Sequence, residues 1–522
     1  MSLAVTHDQP LLRASTASAA PAALAPRPFE LLGPREVEAL RDRLRRHSPD
    51  FVTIALRYPD PSHALRRYGL KAWESGRLGE AAESFTAALS LSPDDAALWR
   101  DCAFVFQSLG RPGEALTCIR RAVDLRPGEA PSWLMLANLL NQQGLGREAE
   151  AAFRGAITRD PALADAHLGL GLLLFERRDL EEAAQHLGTS VALAPTHGLA
   201  ALCLGQVLYT LGDYPGSIAA FKRAAGVGEL PDLARRNFVR AWAFAAILDG
   251  RLEEAVAAHP GLAGEDGEDI ESLLAVAFGL FSASGQRAAA IAVGRYRLAL
   301  NRNDPVQTYL LDALCGLPHS AAPVSYLEQH FDAFAPSFDA KLVDVLQYRV
   351  PQQLAALAAR HRHTCADIVD LGCGTGLAAA PLSVLAGRLI GVDIASGMLA
   401  EATKRGLYAE LVKAEAIAFL EQEPARFDLV FAADMLVYLG DLAPLFAAAA
   451  RALRAGGLLC LSIETGDAAV TLLPSGRFAH GPDDVRELAA REFTLLDDVE
   501  QDLRLEGRVK VRGRLIVFER RS

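Results

Sequence analysis

At 522 residues the chain is longer than one hydrophobic core organises, so two to four domains are expected. Half of it is hydrophobic, which places most of the chain in folded structure, and a net charge of −11 argues against a broad nucleic-acid-binding face. Seven scattered cysteines form no Cys-x-x-Cys pair, which argues against a zinc or disulfide framework and for a reducing, cytoplasmic setting.

Residues 1–28, rich in Ala, Ser and Pro, are expected to be a disordered leader. His7, Asp8 and Pro10 stand where a secretory signal would need a basic start and an apolar run. No apolar stretch is long enough to span a bilayer, so no membrane insertion is expected. A helical segment follows over 29–61.

From 62 onward a repeat is legible. Pro93, Pro127, Pro161 and Pro195 are each 34 residues apart, a helix-turn-helix period. Small residues recur where two helices would cross closely: Gly69, Ala103, Ala137, Gly171 and Gly205, then Ala81, Ala115, Ala149 and Ala183. Trp99 and Trp133 lie near helix starts, and turns such as Ser75-Gly76-Arg77 and Leu109-Gly110-Arg111 supply backbone freedom. These positions resemble the tetratricopeptide repeat family, with five clear units and two degenerate ones over 62–318. The resemblance implies a superhelix with a groove for a protein or peptide.

Residues 319–353 read as a linker and one or two amphipathic helices, with Phe331, Phe334, Phe338 and Leu342 at helical spacing. From 354 to 522 strands alternate with helices. Asp367–Leu371, Arg388–Asp393, Ala409–Lys413, Phe427–Ala432 and Gly457–Ile463 are the expected strands, with helices over Leu377–Ala386 and Ser396–Arg405. This pattern predicts a doubly wound parallel sheet with ligands at the strands' carboxyl ends. The alternating basic run Arg508–Phe518 is expected to be an edge strand with a solvated basic face rather than a nucleic-acid patch.

The loop Asp370-Leu371-Gly372-Cys373-Gly374-Thr375-Gly376 carries the chemistry. A dinucleotide fold wants a third glycine where Leu377 stands, and Asp370 is ill placed beside a pyrophosphate. A carboxylate there suits a cation, and Asp393, ending the second strand, suits the hydroxyls of a ribose. With these residues the segment resembles the class I S-adenosylmethionine (SAM)-dependent methyltransferases, and within them bacterial methyltransferases with N-terminal tetratricopeptide repeats. The resemblance implies an all-α repeat superhelix followed by an α/β Rossmann-like domain with a mostly parallel seven-stranded sheet. It implies SAM as cofactor and S-adenosylhomocysteine (SAH) as product. Gly372, Cys373, Gly374 and Gly376 would line the methionine half, Ile394 and Met398 the adenine, and Glu415 with Ala416 the adenine edge. Asp434 would be cofactor-side or structural, and Tyr348 a contact from the lid.

Methyl transfer needs alignment and exclusion of water more than a base. Candidate catalytic residues are His480, Tyr438 and Glu464, with Asp441 also on a suitable loop. Two readings follow. One is a methyltransferase whose repeats recruit a protein acceptor, or a partner assembly handling a small molecule or glycan. The other is a repeat scaffold whose C-terminal fold binds SAM without turnover.

Overall fold

A computed structural model describes residues 29–521, apart from 265, 266, 341, 343–345, 507 and 508. The expected leader and Arg508 lie outside the described residues. The chain divides into two compact units at Asp269/Ile270. The expected change from repeats to linker at 318/319 is therefore not where the units part: the helices Ile270–Ala283, Arg287–Leu300 and Pro305–Cys315 go with the C-terminal unit.

In the first unit, helices Pro34–His47 and Pro49–Arg57 precede paired helices that begin with Pro61–Glu74 and Leu78–Leu91. The first helices of the next four pairs start at Ala96, Ala130, Ala164 and Gly198, 34 residues apart. The recurring residues have a common geometry. Trp99 Nε1 donates to the Pro93 carbonyl at 2.7 Å, Trp133 Nε1 to Pro127 at 2.9 Å, and His167 Nε2 contacts Pro161 at 3.2 Å. An aromatic ring nitrogen thus meets the carbonyl of three of the four repeat prolines, Pro93, Pro127 and Pro161. The small positions are true close approaches: a Cβ on Gly205 would come within 2.7 Å of Phe221, and one on Gly171 within 2.7 Å of Leu187. A continuous apolar core runs from Val37 to Ala224.

In the second unit, nine strands are described: β1 (Cys365–Leu371), β2 (Ala386–Asp393), β3 (Glu410–Lys413), β4 (Phe427–Ala432), β5 (Leu453–Glu464), β6 (Val470–Leu472), β7 (Phe478–His480), β8 (Phe493–Glu506) and β9 (Val509–Arg520). Seven form one sheet in the order β3-β2-β1-β4-β5-β9-β8, and β6 and β7 form a separate hairpin. Within the seven-stranded sheet only β9 runs against its neighbours. Every residue of β4 is buried, as expected for a central parallel strand covered on both faces. The strand order reverses between β1 and β4, which opens a crevice at their carboxyl ends.

Two local expectations are corrected. The helix expected over Leu377–Ala386 shrinks to Ala379–Ser383, because the glycine turns continue to Ala378 and β2 pairs with β1 from Ala386 onward. The basic strand is not an edge: β9 lies between β5 and β8. Its Lys510, Arg512 and Arg514 pair with Asp502, Glu500 and Asp498 of β8, so the basic face is neutralised across the strands. Among the described residues, no helix is long and apolar enough to cross a membrane.

Candidate functional site

A cavity of about 400 Å³ opens at the carboxyl ends of β1, β2 and β4. Its floor is the turn after β1. Gly372, Gly374 and Gly376 have φ of +63°, +54° and +84°, a left-handed run that L side chains resist. Around Gly374 an added Cβ would meet only Phe338, at 3.9 Å, so the backbone borders open space there.

Two carboxylates stand behind this turn. Asp393 Oδ2 accepts the Gly374 amide at 2.8 Å and Oδ1 the Ala395 amide at 2.9 Å, which ties the end of β2 to the glycine turn. Burial raises its pKa above the ordinary carboxylate value, against the pull of those amides. Asp370, 2% exposed, accepts the Tyr408 hydroxyl at 2.6 Å. Burial, opposed by the Tyr408 bond and reinforced by Asp393, pushes its pKa up to about 7. The Cys373 thiol, also buried, is pushed well up.

The roof comes from the segment before β1. The helix Val324–Phe334 continues into a short 3-10 turn, Ala335–Ser337. Asp332 accepts the Gly397 amide at 2.6 Å, and Asp339 receives Thr375 and Arg405, so the roof is fastened at both the first and second strand ends. Phe331 and Phe338 pack with Ile394 and the buried Met398. Tyr348 lines the cavity, and burial raises its pKa well above the phenol value.

The opposite wall holds a chain of four charges. Arg504 Nη1 donates to both oxygens of Asp434 (3.0 and 3.2 Å), and its Nη2 to Glu464 at 2.6 Å. Arg477 Nε lies 3.4 Å from the same Glu464 carboxylate. Asp434 takes a left-handed φ of +55° while its amide donates to Ser462. Such a conformation in a non-glycine residue is strained and persists where the surroundings hold it.

Of the residues singled out in the sequence, Asp370, Gly372, Cys373, Gly374, Asp393, Ile394, Met398, Glu415, Ala416, Asp434, Tyr348 and Tyr438 line this one cavity. Gly376 is not among its lining residues: a Cβ there would meet Arg405 and Tyr408 at 3.0 Å, so its smallness serves packing. Glu415 caps the following helix, accepting Ile417 and Ala418 amides at 3.0 and 2.7 Å. Tyr438 packs edge-on against Phe331 with ring centres 5.5 Å apart, and burial raises its pKa. Asp441 lies beyond the cavity and accepts the Ala443 amide at the next helix start.

Two catalytic candidates are displaced from the cavity. His480 is 2% exposed on β7, facing the Leu436 carbonyl at 3.3 Å, and desolvation lowers its pKa, so it is a neutral structural residue near pH 7. Glu464 is engaged by two guanidiniums and does not line the cavity. Sequence reasoning missed Arg477, Arg504 and Tyr408. Tyr408 follows a helix with no motif around it, and Arg504 sits in a strand whose local pattern puts it on the solvent face.

The seven-stranded order with one reversed strand, and a glycine turn backed by two strand-end acids, define a class I methyltransferase domain. Residues 368–457 match the family described as methyltransferase domain, and 38–96, 72–140 and 134–198 match tetratricopeptide repeat families. The chain thus joins tetratricopeptide repeats to a class I methyltransferase domain.

It is similar to the malonyl-[acyl-carrier protein] O-methyltransferase of Hahella chejuensis, 32% identical over 34% of this chain and 61% of that protein. It is also similar to a probable S-adenosylmethionine-dependent methyltransferase of Mycobacterium tuberculosis, 31% identical over 26% of this chain and 48% of that one. The chain spans about half to three-fifths of the length of these curated relatives. Among solved structures it is similar to the N-methyltransferase NodS of Bradyrhizobium japonicum in complex with SAH, with 17% identity, a TM-score of 0.32, and coverage of 38% of this chain and 99% of that one.

Proposed function

We propose that the C-terminal unit is a SAM-dependent methyltransferase, and that the repeats of the first unit recruit a protein acceptor or a partner assembly. The observation that carries this reading is the pair of acids, Asp370 and Asp393, behind an open glycine turn. The donor set fits the cofactor. Asp370 is a buried carboxylate suited to an ammonium or sulfonium, Asp393 an acceptor suited to ribose hydroxyls, and Ile394 and Met398 an apolar bed for a purine. Bound there, SAM supplies a methyl group on a positively charged sulfur. The names of the two curated relatives agree with this chemistry.

The protein's own share is alignment and dryness. Phe331, Phe338, Tyr348 and Tyr438 close the cavity with aromatic surface, which excludes water around a polar reaction centre. The fastening of the roof to Gly397, Thr375 and Arg405 holds these rings over the glycine turn. Asp434 and Tyr438 are among the polar groups of the lining that an acceptor would meet. His480 and Glu464 support the wall behind them.

Calorimetry on the full chain tests the reading. SAH should bind with micromolar-range affinity in the wild type, and Asp393→Ala should lose it. A folded wild type that binds neither SAM nor SAH refutes it. Transfer of tritiated methyl from SAM into fractionated host lysate then separates turnover from cofactor binding alone.

A further inference from the structure

We propose that Arg477 and Arg504 form an anion-anchoring subsite, so that the methyl acceptor carries a carboxylate. This rests on the methyltransferase reading of the cavity and names the chemistry of its second ligand.

Three observations carry it. First, both cations of the cavity lining stand at one wall: Asp370 and Asp393 back the glycine turn, Glu415 follows β3, and Arg477 and Arg504 lie apart from these, with Asp434 paired to Arg504. A cation-accepting end and an anion-accepting end thus share one space. Second, both guanidiniums are desolvated, at 4% and 6% exposure. Buried ion pairs are costly relative to apolar packing, so a core stabilised only by packing has no need of four charges here.

Third, a break in β8 aims Arg504. Asp498, Glu500 and Asp502 alternate along one face of the strand, and a regular continuation would put residue 504 in the same row. Instead Asp502 pairs with Arg512 and Arg504 pairs with the next residue, Val511, so Leu503 is an extra residue in the strand. This bulge turns Arg504 to the other face, and the consecutive Leu503 and Arg504 are both buried. Arg477 arrives from a different element, a tight turn in which Leu473 donates to the Arg477 carbonyl at 2.8 Å. Two unrelated segments therefore converge on one wall.

The guanidiniums already have partners, and these differ in quality. Glu464 is held at 2.6 Å by Arg504 and is 7% exposed. Asp434 shares a single Nη1 between two oxygens at 3.0 and 3.2 Å, from a strained backbone at the cavity wall. An incoming carboxylate competes with Asp434, and the planar guanidinium favours the two-pronged carboxylate over the divided contact. Glu464 stays as the fixed counter-ion.

The test is a titration of the full chain, with and without saturating SAH, by benzoate and malonate and by their neutral amides, benzamide and malonamide. The expected result is that a carboxylate binds about tenfold or more tightly than its amide. The preference should be lost in Arg504→Gln and Arg477→Gln and partly kept in Arg504→Lys, with thermal melting reporting that each variant is folded. A folded wild type that takes the carboxylates no better than the amides overturns the proposal, whatever the variants do. SAH binding without carboxylate preference overturns only this subsite. Carboxylate preference without SAH binding supports the subsite and overturns the cofactor reading.

Discussion

The Tyr309 hydroxyl donates to the Gly476 carbonyl at 2.8 Å, joining a helix of the 270–315 region to the turn that presents Arg477. The same tyrosine packs against His319, Tyr326 and Phe478. Nearby, Ala322 donates to the Tyr438 carbonyl at 2.9 Å, and Gly440 and Asp441 donate to Ser320. Helices that continue the repeat pattern are thereby built into the wall of the cavity, which accounts for their membership of the C-terminal unit.

Tyr309→Phe keeps the ring and removes the donor. The buried carbonyl of Gly476 loses its partner, at a cost of about 1–3 kcal/mol. A drop of several degrees in the melting transition of the C-terminal unit is expected; an unchanged transition would show that water replaces the hydroxyl.

The Asp370 carboxyl makes stability pH-dependent. Its folded value of about 7 lies above the unfolded value of 3.8. Between these pH values the folded state holds more protons than the unfolded chain, so its contribution to stability falls as pH rises through that window. Asp370→Asn should flatten the decline of denaturation free energy between pH 4 and 7. A bound cation favours the carboxylate, so SAM should release protons on binding near pH 6, seen as a dependence of binding heat on buffer ionisation enthalpy.

Glycines of the turn separate by function. Gly374→Ala and Gly376→Ala both force a side chain into left-handed backbone, at about 1 kcal/mol each. At Gly374 the methyl enters the cavity, so SAH affinity should fall by more than the strain alone predicts. At Gly376 it strikes Arg405 and Tyr408, so unfolding should be affected more than affinity. Equal effects on both quantities in both variants would contradict this division.

Glu464→Gln leaves Arg477 and Arg504 without their shared counter-ion. Removing one partner of a buried charge pair costs about 3–5 kcal/mol. Urea denaturation should show that loss, while Glu410→Gln, a surface carboxylate paired with Arg388 and more distantly with Arg426, should change stability by under about 1 kcal/mol.

His480→Asn should leave the pH profile of methyl transfer unaltered between pH 6 and 8. Burial holds the imidazole below its ordinary value, and His480 is not among the residues lining the cavity. Loss of a profile limb near neutrality in this variant would restore it as a catalytic candidate.

Much was legible from local pattern. The 34-residue period, the glycine turns and the short apolar strands are written in neighbouring residues, so the repeats, the first five strands of the sheet and the glycine-turn acids follow from sequence alone, whereas the inner place of β9 does not. Glu415 shows the limit. Its position after β3 was legible, but that helix amides occupy both its oxygens is seen only in the folded chain.

The sequence by itself determined the two kinds of architecture and the acidic end of the cavity, because turns, caps and buried strands depend on residues close along the chain. The tertiary structure decided the other end. Arg504 meets Asp434 across 70 residues and Glu464 across 40, and Tyr309 reaches Gly476 across 167. A single inserted residue in β8 reverses the face on which Arg504 lies. Contacts over such separations form when the sheet assembles, and no short-range pattern encodes them.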